Sequence, residues 1–164
     1  MTSEKARIWE PIKNIGGHYW LEFIVDKREY IKSGNCTKIN KVIKFRLRHD
    51  KEENKTIDLI FDDIASYRIT NESYSDNSID HIESTKDRKA RGPWGFYTIE
   101  NSSFIEFIEK QTGIPASIYG FKHYYIVSMD DIIDIIASVK PIVEIIVDGK
   151  VVESTDSGRH SNML

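Results

Sequence analysis

Cysteine is nearly missing from this sequence. Cys36 is the single cysteine among 164 residues, so no internal disulfide can form. Small secreted domains usually depend on disulfides, and a chain without them is typical of a reducing compartment. The same count excludes a cysteine-rich zinc site. We therefore expect a cytoplasmic protein that holds no metal.

Long apolar runs are also lacking. The first ten residues, MTSEKARIWE, carry charges of both signs and no apolar core, which argues against a signal peptide of the usual design. No uncharged apolar run approaches the roughly 20 residues that a membrane span needs. The formal net charge of −3 lacks the basic excess of most nucleic-acid-binding domains. We expect neither a membrane nor a nucleic acid as partner.

Catalytic and cofactor motifs are missing as well. The sequence contains no HExxH, no GxSxG, no EF-hand loop and no phosphate-binding glycine loop. The histidines are scattered, and His123 is the best single candidate for acid–base chemistry, paired with Glu106 or Asp131. A structural histidine bonded across a sheet is the simpler interpretation. We expect no cofactor and no catalytic site.

Alternating apolar residues predict most of the secondary structure. In residues 41–49, Lys44, Arg46 and Arg48 alternate with the apolar residues, which predicts a half-buried strand with a basic outer face. Residues 27–38 are charged and end in turn residues, so we interpret them as a connection. Asp148-Gly149 predicts a two-residue hairpin turn. The predicted strands are 18–26, 41–49, 56–61, 64–70, 96–99, 121–127, 132–139, 142–147 and 150–153.

One helix is predicted, at about 101–112. Ser103 and Glu106 fit a capping box, although Asn101 or Ser102 could cap instead. Gly113 suits the left-handed position after a helix. Residues 132–139 fit a helical stripe as well as a strand, and their β-branched residues favour the strand.

These elements predict an α+β fold: a mainly antiparallel sheet, curled or in two layers, with one principal amphipathic helix on a face. We expect a single domain over residues 1–153 and a disordered tail over 154–164. The expected core residues are Leu21, Phe23, Phe45, Leu47, Leu59, Phe61, Phe107, Ile108, Ile126, Ile133 and Ile135.

Residues 71–91 form a long polar segment whose first part is acidic. Such loops are often functional, although a solvated, mobile loop is the simpler interpretation. Acidic residues steer basic partners, and Tyr and Trp are favoured interface anchors. The candidate partner-binding residues are Asp62, Asp63, Glu72, Tyr74, Asp76, Asp80, Glu83 and Trp94.

Three segments carry a resemblance to a known class of protein. They are YRITNESY (Tyr67–Tyr74), ENSSFIEFIEKQTGI (Glu100–Ile114) and HYYIVSMDDIIDIIASVKPIV (His123–Val143). Together they resemble small bacterial immunity proteins that are encoded beside secreted or contact-delivered toxins. The resemblance implies a non-enzymatic cytoplasmic protein that binds one cognate toxin domain, expected to be basic, and blocks its active site. The alternatives are an enzyme with a site around His123, or an assembly subunit that pairs through a strand edge.

Overall fold

The protein is mostly β-structure. The computed structural model describes residues 4–13, 15, 17–34, 36–71, 73, 83–84 and 95–156. It is 59% strand and only 12% helical, so the predicted α+β class is wrong. Within these residues, the fold consists of two sheets, one short helix and one further helical turn.

The first sheet contains six strands in the order β5-β9-β8-β7-β1-β6. Every pair in it is antiparallel except β1 with the two-residue β6, which is parallel. The bounds are β1 Lys5–Ile8, β5 Ile64–Asn71, β6 Glu83–Ser84, β7 Gly95–Glu100, β8 Lys122–Val127 and β9 Asp131–Ala137. β9 confirms the strand interpretation of residues 132–139.

The second sheet contains five antiparallel strands in the order β11-β10-β4-β3-β2. The hairpin between β10 and β11 turns at Asp148 and Gly149, both with positive φ, which confirms the predicted turn. The bounds are β2 Tyr19–Ser33, β3 Cys36–His49, β4 Lys55–Phe61, β10 Ile142–Val147 and β11 Lys150–Ser154.

The main core contains residues from both sheets. Seven of the expected core residues are fully buried: Phe45, Leu47, Leu59, Phe61, Ile126, Ile133 and Ile135. Leu21 and Ile108 are half-buried. The assignments of Phe23 and Phe107 to the core are wrong, because they are 37% and 53% exposed. Phe107 lies on the solvent side of a short helix, and Phe23 follows an irregularity in β2 that reverses its face.

Two segments explain why the class prediction failed. The charged residues 27–38 extend the hairpin of β2 and β3 instead of connecting shorter strands. Asp26 in β2 lies within 3.9 Å of Lys41 in β3 and within 4.0 Å of Arg28, so opposite charges support an extended polar ribbon. Residues 5–8, which are absent from the predicted strands, form β1 against β7.

The helical segment follows β7. Helix α1 (Ser103–Thr112) begins after Ser102, whose hydroxyl accepts the N–H of Ile105 at 3.1 Å, so Ser102 and not Ser103 is the cap. Gly113, with φ of 68°, ends the helix as predicted. One further turn, α2, spans Ala116–Tyr119. No helix in the described ranges is long and apolar enough to cross a membrane.

The last described residues, 154–156, follow the predicted domain boundary at residue 153. Ser154 belongs to β11, and the N–H of Thr155 donates to the carbonyl of Val143 at 3.0 Å. Residues 157–164, the rest of the predicted tail, lie outside the described residues.

Candidate functional site

Four polar side chains from four elements meet beneath helix α1. Ser102 Oγ lies 2.7 Å from His123 Nδ1, and His123 Nε2 lies 2.8 Å from Asp134 Oδ1. Arg68 Nε donates to Asp134 Oδ2 at 2.8 Å. We call these four residues the relay; Ser102, His123 and Asp134 are buried, and Arg68 is about half-exposed. They join the helix cap, β8, β9 and β5 in one hydrogen-bonded chain.

Strand register brings the relay together. β8 and β9 pair with Tyr125 opposite Asp134, so His123, two residues before Tyr125, lies diagonally across from Asp134. Arg68 is the direct cross-strand neighbour of Asp134. These side chains alternate with core residues such as Tyr124 and Ile133, and therefore lie on the outer face of the first sheet.

Phe104 of helix α1 covers the relay. Its ring contacts the imidazole of His123 edge-on at 5.8 Å between centroids. The Arg68 guanidinium lies over the same ring at 4.5 Å from its centroid. Together with the hydrogen bond between Ser102 and His123, these two ring contacts hold the start of the helix on the sheet.

The relay contains an ionised carboxylate. Burial acts to raise the pKa of Asp134, but hydrogen bonds and charge from His123 and Arg68 outweigh it and hold the pKa below its ordinary value. A carboxylate accepts hydrogen bonds, so His123 donates from Nε2. Nδ1 is then the acceptor for the Ser102 hydroxyl when the imidazole is neutral.

The order serine, histidine, aspartate is also that of a nucleophilic triad. Here the serine differs from a reactive one, because its oxygen already accepts the Ile105 N–H and only 4% of the residue is exposed. His123 is 3% exposed and Asp134 is 1% exposed. The next amide of the helix terminus, that of Ser103, donates to Glu4 at 2.6 Å. The geometry is that of a structural network that caps the N-terminus of the helix and bonds it to the sheet.

His123 therefore has a different carboxylate partner from those considered in the sequence. Its partner is Asp134, whereas Glu106 is exposed on the helix and Asp131 begins β9. Within the described ranges, no three His, Cys, Asp or Glu side chains come together in a way that could hold a metal ion.

A second polar cluster lies on the outer face of the second sheet. Asp58 in β4 is 2% exposed and receives two bonds from Arg46, at 2.5 and 2.6 Å. Lys44 Nζ adds a third contact at 3.1 Å. Hydrogen bonding to Asp58 raises the pKa of Arg46 further, so the guanidinium stays charged. Two cations thus share the Asp58 carboxylate, and the charges of Glu22 and Glu144 also act on Arg46.

Exposed apolar side chains border this cluster. Trp20, Phe23 and Val25 of β2 are 40%, 37% and 43% exposed. The cations of Arg46 and Lys44 lie 5.0 and 5.6 Å from the centre of the Phe23 ring. We call the surface formed by Trp20, Phe23, Val25, Lys44, Arg46 and Arg48 the aromatic–cationic face.

The predicted acidic site lies mostly outside the described residues. Glu72, Tyr74, Asp76, Asp80 and Trp94 fall there. Asp62 and Asp63 lie at the corner between β4 and β5, where Asp63 is exposed and Asp62 is half-buried. Glu83 lies in β6. The described residues therefore do not test whether the eight residues come together, and the acidic patch stays a prediction.

Sequence reasoning missed both polar clusters in part. The basic outer face of β3 was visible in the alternation of Lys44, Arg46 and Arg48. The exposure of Phe23 was not, because it depends on the irregularity between Leu21 and Phe23. The relay joins residues from position 68 to position 134, and only strand register makes them neighbours.

Comparison with known proteins yields no relative: no family model, curated protein or solved structure matches the chain. What the protein does is therefore argued from its own residues and geometry.

Proposed function

We propose that this chain is a protein-binding module, and that it acts as an immunity protein by covering the active site of a cognate toxin domain. The observation that carries the proposal is a contrast between the two polar clusters. Ser102, His123 and Asp134, the part of the relay that resembles a catalytic triad, are buried, whereas the aromatic rings of the aromatic–cationic face are exposed to solvent.

The composition of that face supports a binding role. Trp and Arg are the residues most enriched among those that dominate protein–protein binding energy. Trp20 and Phe23 together with Arg46 and Arg48 place both types on two neighbouring strands. The contacts of Phe23 with Lys44 and Arg46 also hold the ring in place before binding, which lowers the entropy lost in forming a complex.

The mechanism would be occlusion. A rigid two-sheet scaffold presents side chains that fill and cover a toxin's cleft, and no bond is made or broken. The acidic residues of positions 62–83 would contribute a second contact to a basic toxin surface, as the sequence predicts. The resemblance to immunity proteins supports the choice of partner.

Titration calorimetry with the toxin domain encoded by the neighbouring gene tests the proposal. We expect a one-to-one complex and loss of the toxin's activity at the same stoichiometry. Absence of a complex, or inhibition at far below one equivalent, would contradict it, because substoichiometric inhibition indicates turnover.

A further inference from the structure

We infer that the aromatic–cationic face binds an acidic, extended segment of a partner protein. The inference rests on the proposed function only in taking the partner to be a protein. It concerns a different surface from the acidic residues of positions 62–83, and a partner segment of the opposite charge to the one that those residues would bind.

The first observation is an irregularity that aligns two aromatic rings. Trp20 pairs with Arg48 and Phe23 with Arg46. Trp20 and Phe23 are three positions apart, so regular alternation would place them on opposite faces. The shift in register between Leu21 and Phe23 restores them to one face. Such irregularities commonly redirect a side chain at a functional surface.

The second observation is segregated charge. The hairpin from Tyr19 to His49 contains eight Lys and Arg against three Asp and Glu, so it carries +5 in a chain of −3. The remaining sequence therefore carries −8. This separation gives the hairpin a local field that attracts anionic partners, even though the whole protein is acidic.

The third observation is that the cations lie beside the rings. Lys44 and Arg46 share the carboxylate of Asp58, and Arg48 bonds Glu22. The outer edge of β2 pairs with no strand in the described part of the chain. A segment laid along β2 thus meets apolar rings, a row of cations and an open strand edge.

Charge complementarity selects the occupant. A second copy would bring two hairpins of +5 together, which like-charge repulsion disfavours. A nucleic acid is disfavoured by the net charge of −3 of the whole chain, because binding to a phosphate backbone depends on a broad basic surface. An acidic protein segment needs only a modest positive field and gains from the exposed rings.

Fluorescence anisotropy with labelled probes at low ionic strength tests the inference on the full chain. The probe is a ten-residue peptide that alternates Glu and Thr. The comparison probes are the same peptide with Lys for Glu, and an oligothymidylate. We expect saturable binding of the Glu-Thr peptide alone, weakened by added salt.

Matched variants locate the site. The double variant Lys27→Gln with Arg48→Gln removes two positive charges from the hairpin. We expect it to lower the affinity for the Glu-Thr peptide about tenfold. Lys110→Gln with Lys140→Gln removes the same charge from exposed positions elsewhere and should leave binding unchanged. Trp20→Ala should weaken binding, whereas Tyr119→Ala should not; Tyr119 is an aromatic on α2 that is 50% exposed, against 40% for Trp20.

Several results would overturn the inference. They are no saturable binding of the Glu-Thr peptide, equal loss in the two double variants, or tighter binding of the oligothymidylate. A dimer in sedimentation that Trp20→Ala dissolves would assign the face to a second copy. If the toxin complex forms but is unaffected by Lys27→Gln with Arg48→Gln, this inference fails while the proposed function stands. Peptide binding without a toxin complex would support the binding face and contradict the proposed function.

Discussion

Arg68 of β5 and Asp134 of β9 are direct cross-strand neighbours, and the guanidinium Nε donates to the carboxylate at 2.8 Å. The same carboxylate accepts from His123, which in turn bonds the serine that caps helix α1. The helix and three strands of the first sheet are therefore joined through one buried charge. Stability should depend on that charge more than on any surface ion pair.

Replacing Asp134 with Asn should destabilise the protein by about 2–3 kcal/mol, because Arg68 and His123 lose their carboxylate partner. The expected loss is limited to this size because Arg68 is half-exposed and water partly solvates its charge. The pKa of Asp134 is lowered in the folded state, so its contribution is present above the ordinary value of 3.8 and is lost as pH falls further. The stability gap between wild type and Asp134→Asn should therefore narrow below that pH. Urea denaturation across pH measures it. Asp130→Asn, at an exposed position, is the control, and a gap independent of pH would contradict the assignment.

The two arginines of β3 should differ in their contribution to stability. Arg46→Met leaves the buried Asp58 with Lys44 alone, and should cost about 2–3 kcal/mol. Arg48→Met, two residues away on the same face, removes an exposed pair with Glu22 and should cost about 0.5 kcal/mol. Urea midpoints compare the variants. Equal losses would show that the burial of Asp58 does not govern the stability of this face.

Two adjacent serines test the assignment of the helix cap. Ser102→Ala removes the acceptor of the Ile105 N–H and the partner of His123, and should cost about 1–2 kcal/mol. Ser103→Ala should be nearly neutral, because its side chain is exposed and its amide keeps Glu4. Thermal denaturation of both variants measures the difference. A larger loss for Ser103→Ala would restore the capping box predicted from the sequence.

The closed geometry of the relay predicts an unreactive serine. A fluorophosphonate probe needs an exposed and activated oxygen, and Ser102 Oγ is buried and already accepts a backbone N–H. Intact-mass measurement after incubation should show no adduct. A stoichiometric adduct that maps to Ser102, and is lost in Ser102→Ala, would support the enzyme alternative instead.

Local patterns in the sequence predicted single elements well. The alternation around Phe45 and the Asp148-Gly149 turn each depend on neighbouring residues, and both have the predicted structure. The fold class failed where strands continue through charged sequence. Asp26 and Lys41 stabilise the hairpin only once they pair across it, and no local pattern records that pairing.

The relay could not be predicted from the sequence either, because it also depends on pairing between strands. His123 was expected to be bonded across a sheet, and it is, but its partner depends on the register of β8 against β9. Only the cations of the aromatic–cationic face could be predicted from the sequence. The cations follow simple alternation, whereas Phe23 joins them only because one irregularity in β2 changes its side.

Hydrogen exchange measured with and without the toxin domain tests most directly whether the protein acts by surface contact. The account predicts protection in β2 and the adjoining part of β3, with little change in the strands that hold His123 and Asp134. Unchanged exchange throughout the chain would contradict a binding role. Protection confined to the surroundings of His123 would contradict the choice of surface and would indicate that the partner binds near the relay instead.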